Sequence, residues 1–523
     1  MSGTHPPVEN YPFLAEFRLP QQSEEREQHI AVLQQQLSQA QSQLPENSGL
    51  ALEYLAAREQ SFMEVVSSYF AEIHQHLITE NLASDNAFRM LARNTHLLDA
   101  ILLVTADYVL EDLPAVKEIL VDELERECNY KLRVLPEKAE KRRVLRDEVA
   151  QYANPESTDE QNLGNYYRRV LDELSQEIGR VQTQLEEVQK LLPQVRNCSI
   201  DPKEVLEHLV VFARGGYGRA ELSFASDRDL GYCLDTRHLE VGAVKLYQQV
   251  VVRIEQLLSR AGIETAHQYF EIDEDLSRFR EPGSLHTIPS ILESRVLLGS
   301  PELAAELKQR FFQVLPYEPY VLSKIQEYHG RQEPSLNLMN LKEDHGGLRT
   351  LQIPLWIAAA TFGEFPSQTA DLLALLIQRR ILTPRQGLKV CQALEFFYDL
   401  RNFSGAAQHY YDEEAQASGC VDTDLKANII NDSLERLYLL KKRRFRTVDE
   451  FDRFRLQMVH NIQMLSRTIL RKLLDRTIVR TFSSFQAVVQ LRKRRIVEVH
   501  ALEGLPQVPL PLIFNTPTAL LDL

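Results

Sequence analysis

Helical spacing dominates the hydrophobic pattern of the N-terminal part of the chain. After an irregular start, a Gln-rich amphipathic stretch from Glu24 to Leu44 suits a peripheral helix. From Ala51 to Arg133 apolar residues recur at steps of three and four, as in Phe62, Val65, Val66, Tyr69 and Phe70, the period of a buried helical face. Pro114 marks a helix start or corner, because an interior proline removes a backbone hydrogen bond, and Asn154-Pro155-Glu156-Ser157 reads as a break. Tyr167, Leu171, Leu174, Ile178, Val181, Leu185, Val188 and Leu192 then alternate steps of four and three, and Pro193 is expected to end the run. Such a seam spans only about three and a half heptads, which favours an antiparallel hairpin with another helix of the same chain over a dimer zipper.

The period changes after Pro202. Glu204 to His208 reads as a helix end, Leu209 to Ala213 as a strand, and Arg214-Gly215-Gly216 as a turn. A second strand is expected over Asp229 to Leu234, a helix over Val244 to Leu258, and a third strand near Ile263 to Ala266. This order is mixed α/β. Beyond Pro289 the pattern is again mostly helical, with an irregular region between His329 and Leu348. Val488 to Val499 suits a hairpin, and Pro506, Pro509, Pro511 and Pro517 disfavour regular structure after it. The fold class predicted is α+β, a mostly helical multidomain protein around a small α/β module.

A length of 523 residues exceeds what one core usually organises. The formal charge of -15 argues against a general nucleic-acid binder, whose backbone contacts need a basic surface. The basic clusters Lys441 to Arg446 and Arg492 to Arg495 read as solvated faces. Cys128, Cys198, Cys233, Cys391 and Cys420 are scattered, without the close pairs of a zinc clip, which fits a reducing compartment. No signal-peptide pattern and no apolar run long enough to span a bilayer is found, so a cytoplasmic location with no membrane partner is expected.

The chemistry concentrates in Arg214 to Leu230. Asp227 and Asp229 are two apart, so at a strand start both carboxylates point to one face. Two such carboxylates repel each other unless a cation lies between them, and Mg²⁺ (or Mn²⁺) suits the pair because triphosphate oxygens and water complete its octahedron. Gly215 and Gly216 let backbone amides approach phosphates, Arg214 and Arg219 are candidates for charge-assisted contacts, and Ser226 for capping a carboxylate or touching phosphate. Glu264 is a third acidic candidate, returning from the next strand. Each element alone is ordinary: paired aspartates mostly cap or face solvent, and a Gly-Gly pair is mostly a turn. Their combination in this order carries the assignment.

These residues resemble the protein-PII uridylyltransferase/uridylyl-removing enzyme family, within the DNA polymerase β-like nucleotidyltransferase superfamily. The family pattern G-G-Y-G-R-G-E-L-x-P-x-S-D-I-D-L is met by Gly215, Gly216, Tyr217, Gly218, Arg219, Glu221, Leu222, Ser226, Asp227, Asp229 and Leu230, with Ala220, Phe224 and Arg228 departing from it. Ile263 to Gln268 is similar to the segment carrying the family's third acid, which points to Glu264, with His267 beside it. A second block, N-I-K-E-G-P-G-G-L-R-D-I-Q, is met by Asn340, Lys342, Glu343, Gly346, Gly347, Leu348, Arg349 and Gln352, with Asp344, His345 and Thr350 departing. Lys342 and Arg349 either face nucleotide phosphates or belong to a hinge stitched by Glu343 and Arg349.

The resemblance covers about residues 200 to 523. Outside it the hydrophobic pattern gives 1–48 (peripheral or flexible helical N-terminus) and 49–199 (helical accessory domain); within it lie 200–288 (nucleotidyltransferase domain), 289–487 (helical domain with the Gly346-Gly347 motif) and 488–523 (hairpin and tail). The family's phosphohydrolase and ACT domains are expected to be lacking, since no His-Asp dipeptide occurs, so uridylyl removal is not carried over. The resemblance implies transfer of UMP or AMP from UTP or ATP to a protein hydroxyl, with Asp227, Asp229 and Glu264 as metal and catalytic residues. The acceptor implied is a PII-like signalling protein. Two other readings stand beside it: a noncatalytic nucleotide-sensing regulator, and a transferase acting on tRNA or a small molecule.

Overall fold

The computed structural model describes residues 11–15, 17–19, 23–44, 51–83, 86–154, 157–199, 201–224, 226–272, 285, 287–334, 338–364, 366–418, 429–431, 438 and 445–474. The expected hairpin over Val488 to Val499, the proline-rich tail, Cys420 and most of the Lys441 to Arg446 cluster lie outside them. In chain order the elements are α1 (Pro12–Ala15), α2 (Glu24–Ser42), α3 (Ala51–Ala83), α4 (Ala87–Glu111), α5 (Leu113–Gln151), α6 (Thr158–Asn197), α7 (Pro202–His208), β1 (Leu209–Ala213), α8 (Gly215–Gly218), β2 (Asp229–Leu234), α9 (Val241–Arg260) and β3 (Ala266–Glu271). They continue with α10 (Ile288–Leu292), β4 (Arg295–Gly299), α11 (Pro301–Val314), α12 (Tyr317–His329), β5 (Leu338–Asn340), α13 (Leu348–Phe362), α14 (Thr369–Gln378), α15 (Pro384–Ser418), β6 (Ile429–Asn431) and α16 (Val448–Leu473). The result is a predominantly helical α+β protein. Among the described residues no helix is long and apolar enough to cross a membrane.

By compactness the chain forms two units, residues 1–104, 210–234 and 258–523 in one, 105–209 and 235–257 in the other. In the second unit α5 and α6 make the hairpin anticipated from the seam. Their antiparallel pairing is fixed by Lys138 with Glu177 at 2.6 Å, by Arg196 with Glu125, and by the Tyr152 and Tyr167 rings at 5.8 Å. Ile178, Leu185 and Val188 of the seam are buried. Pro193 does not stop the helix: α6 runs through it to Asn197. Val195, fully buried in the last turn, anchors that end and offsets the hydrogen bond that proline cannot make. Pro114 does open α5, in its first turn.

The first unit holds a four-stranded sheet of order β3-β2-β1-β4. β2 and β3 are parallel, with Asp229 opposite Ala266; β1 and β4 are antiparallel, with Ala213 opposite Arg295. Strands β1 and β2 have the bounds expected from sequence. The third strand begins where it was expected to end, at Ala266, because Gly262 (φ 79°) and the Ile263 amide on the Leu258 carbonyl at 2.9 Å still close the end of α9. Strand β4 was not anticipated within a helical region. It is a short edge strand without hydrophobic alternation, so only its pairing with β1 reveals it. β5, likewise missed, lies inside the irregular region and pairs with β6. Behind the sheet a helical core gathers Trp356 of α13, Phe396, Phe397 and Phe403 of α15 and Phe451 of α16, all buried.

Candidate functional site

The glycine turn starts where β1 stops. The Arg214 amide donates to the Asp229 carbonyl at 2.9 Å, which sets the end of β1 beside the start of β2. Gly215 then takes φ 54°, and the one-turn helix α8 follows, with Gly218 donating to Arg214 O and Arg219 to Gly215 O. Side-chain-free residues are required here by contact: a Cβ at Gly218 would stand 2.1 Å from the Glu293 carbonyl. Ala220, which replaces the family's usual glycine, sits at φ 61° in the left-handed region that glycine favours.

Asp227 and Asp229 line one cavity of about 420 Å³, together with Gly215, Gly216 and Ser226. Asp227 is exposed and Asp229 half-buried. Burial pushes the Asp229 carboxyl above its ordinary range; the charge of Asp227 adds to this, against the pull of Arg214 and Lys342. Ser226 bonds the Ser223 hydroxyl at 2.8 Å. The second sequence block reaches the same cavity, since Lys342, Leu348, Arg349 and Gln352 line it. Burial, then the neighbouring charges of Arg349 and Arg401, lower the Lys342 ammonium. Arg349 also lies 4.8 Å over the Trp356 ring and 3.6 Å from Glu343, so it both faces the cavity and stitches the turn. Gly347 allows that turn, because a Cβ there would meet the Leu341 carbonyl at 2.6 Å.

Other candidates fall elsewhere. Arg214 does not line the cavity; its guanidinium donates to Gln268 at 2.5 Å and lies 5.9 Å over Phe270. Arg219 lines the cavity but is buried between Glu221 and Glu293, the latter at 2.5 Å. Burial opposes its charge, yet Glu293 and Glu221 hold the guanidinium above its ordinary value. Thr369 and Tyr398 donate to Glu221, and the Trp356 indole to Glu293, so this cluster ties the glycine turn to α13, α14 and α15. Glu264 is exposed, precedes β3 and is absent from the cavity lining, with Arg228 on its carbonyl at 3.3 Å. Among the described residues no three His, Cys, Asp or Glu side chains are grouped to hold a metal. His267 is exposed on β3, and His345 packs edge-on to Tyr328.

Glu293, Lys324, Trp356 and Arg401 also line the cavity and escaped the sequence reading. They come from four separate elements or turns, and no local spacing links them to the aspartates. Arg401 is buried, and burial lowers its guanidinium despite nearby Tyr398.

A family model described as GlnD PII-uridylyltransferase matches residues 321–411, a stretch that contains Lys342, Arg349, Trp356 and Arg401 but not the aspartate pair. Several bifunctional uridylyltransferase/uridylyl-removing enzymes are similar. That of Rhodospirillum rubrum is 30% identical over 203 residues, 37% of this chain and 20% of the relative. That of Phenylobacterium zucineum is 32% identical over 206 residues, again 37% and 20%. That of Rhodopseudomonas palustris is 33% identical over 160 residues, 29% and 16%. The matched stretch thus spans about a fifth of these relatives' length. The chain carries a nucleotidyltransferase domain resembling the PII-uridylyltransferase family.

Proposed function

We propose that this chain transfers a nucleoside monophosphate from a triphosphate to a hydroxyl of a protein acceptor, releasing pyrophosphate. The observation that carries the reading is the convergence of two separate sequence blocks on one cavity: the Gly215-Gly216 turn with Asp227 and Asp229, and Lys342 with Arg349. An acidic pair beside lysine and arginine side chains suits a polyanionic substrate that brings its own cation.

The donor set fits a divalent ion in that sense. Two carboxylates, one of them desolvated, are a common protein share of a Mg²⁺ site when phosphates supply further ligands. When bound, Mg²⁺ or Mn²⁺ supplies Lewis-acid polarisation of the α-phosphate. Asp227 and Asp229 would hold it, Lys342, Arg349 and Arg401 would draw the phosphates in, and Gly215 and Gly216 would let the backbone approach them. The acceptor oxygen forms a bond to the α-phosphorus as the bond to pyrophosphate breaks, and the hydroxyl proton leaves to solvent or a phosphate oxygen. Glu264 has no part in this arrangement, and Arg219 acts by bracing the turn. The relatives' names, uridylyltransferase/uridylyl-removing enzyme, support UTP over ATP, and the description of the matching family model supports a PII-like acceptor.

Incubating the full chain with labelled UTP or ATP, Mg²⁺ or Mn²⁺, and a PII-type protein tests this. Labelled acceptor with UTP is expected; no incorporation from either triphosphate overturns transfer. Among the described residues no third His, Cys, Asp or Glu is grouped with the pair to hold a metal, and one other reading, a nucleotide-sensing regulator, stands beside transfer. Saturable triphosphate binding without turnover would select it.

A further inference from the structure

A second cavity, about 370 Å³, shares no lining residue with the first. Its walls come from the segment before α2, from α2, α4, β4 and α11, and from the residues leading into α14. That enclosure is fixed: Gln368 donates to the Leu19 carbonyl at 3.0 Å and accepts the Leu19 amide at 2.7 Å.

The lining carries more positive than negative charge. Arg18 is matched by Asp371 at 3.2 Å, and Arg295 grips both oxygens of Asp99 at 2.8 and 3.0 Å. Arg26, His96 and Lys308 find no acid among the described residues of the lining: Glu27, which Arg26 reaches, and Glu25, 3.5 Å from His96 Nδ1, lie outside it, so the surplus rests chiefly on Lys308. The Nη2 of Arg26 reaches Glu27 at 3.0 Å, while its Nε is buried without a hydrogen-bond partner among the described residues. His96 is 5% exposed; its Nδ1 meets Ser23 Oγ at 3.1 Å, and its Nε2 has no partner among the described residues. Among the described residues Lys308 donates only to a neutral group, the Ser294 carbonyl at 2.8 Å, and burial lowers its ammonium to about 8.

Buried donors with surplus positive charge are costly unless an acceptor of opposite charge meets them. One water, occupying about 30 Å³, could satisfy a single nitrogen but neither fills this volume nor neutralises it. Among the described residues the imidazole of His96 is the lining's one aromatic ring, which gives a nucleobase no broad stacking platform. We propose that this cavity binds a small dianion, a short dicarboxylate or a phosphate, as a second ligand separate from the nucleotide.

Calorimetric titration of the full chain with succinate and, separately, inorganic phosphate tests the site. Saturable one-to-one binding of at least one anion is expected, and the tighter of the two identifies the acidic group recognised. Lys308→Met and Arg26→Gln should each weaken it about tenfold or more, the scale of one lost charge-assisted contact. Lys342→Gln, in the first cavity, and the exposed Lys389→Gln should leave it unchanged. Should Lys308→Met fail to fold, Arg26→Gln decides alone. Absence of saturation with both anions overturns the proposal, as does binding lost in Lys342→Gln but kept in Arg26→Gln.

Discussion

Gly215 and Asp229 face each other where β1 and β2 adjoin: a Cβ on Gly215 would stand 3.0 Å from Oδ2 of Asp229. Gly215 also holds φ 54°. Gly215→Ala therefore meets two obstacles, a left-handed backbone costing about 1–2 kcal/mol and a push on the half-buried carboxylate. Urea denaturation should show a stability loss of that order, with nucleotidyl transfer reduced as well. A variant equal to wild type in both would mean that the turn tolerates a side chain.

Ala220 presents the opposite case. Its φ of 61° is strained for alanine, and the resembling pattern has glycine there. Ala220→Gly should raise unfolding free energy by about 1 kcal/mol, since relief of strain exceeds the added freedom of the unfolded chain. A lowered midpoint in denaturant would contradict this.

These two positions were legible in the sequence because a glycine turn between a β-branched run and an Asp-x-Asp strand is a local pattern. The α5–α6 hairpin was legible for the same reason, through its four-three seam. What escaped depends on distant partners. Strand β4 exists by pairing with β1, and β5 by pairing with β6. Arg219 looked like a phosphate ligand because nothing nearby announces Glu293, 74 positions away. Glu264 was aligned by resemblance, whereas the strand that was to deliver it starts two residues later, at Ala266.

Arg219 gives a direct contrast between bracing and ligand binding. Arg219→Gln leaves Glu221 and Glu293 buried without their cation, a change that typically costs about 3–5 kcal/mol. A large drop in stability is expected, partly recovered in Arg219→Met with Glu293→Gln. Unchanged stability with a raised KM for triphosphate would restore the phosphate-contact role.

Glu25 introduces an acid-sensitive term. His96, its Nδ1 3.5 Å away, and then Arg93 at 2.7 Å hold its carboxyl at about 2, below the ordinary 4.5. A depressed acid contributes stability that is present above pH 4.5 and disappears as the pH falls towards 2. The full shift would be worth about 3 kcal/mol, but with a third of the side chain in water about 1–2 kcal/mol is expected. Glu25→Gln should flatten the stability–pH curve between those limits. An identical slope in the variant would assign the acid sensitivity elsewhere.

The aspartate pair carries the functional proposal, and its variants must separate chemistry from folding. Asp227 is exposed and Asp229 only half-buried, so neither asparagine opens a cavity. Burial is the main cause that raises Asp229, and removing either carboxylate also ends the lesser repulsion between the two, so stability should hold or rise slightly. Transfer depends on both charges together if they share a cation, because an amide is a poor replacement for an anionic ligand to a hard ion. Asp227→Asn and Asp229→Asn should each slow labelling by at least about 100-fold, or roughly 2.7 kcal/mol of transition-state stabilisation. Triphosphate binding without added metal should change little, since Lys342, Arg349 and Arg401 remain in the cavity. Glu264→Gln, altering an exposed side chain off the cavity, should label within about twofold of wild type, an expectation set by its lack of contact with the pair. Folded Asp variants that label like wild type would remove the pair from the mechanism. A collapse of activity in Glu264→Gln would instead require the segment before β3 to move onto the pair when nucleotide binds.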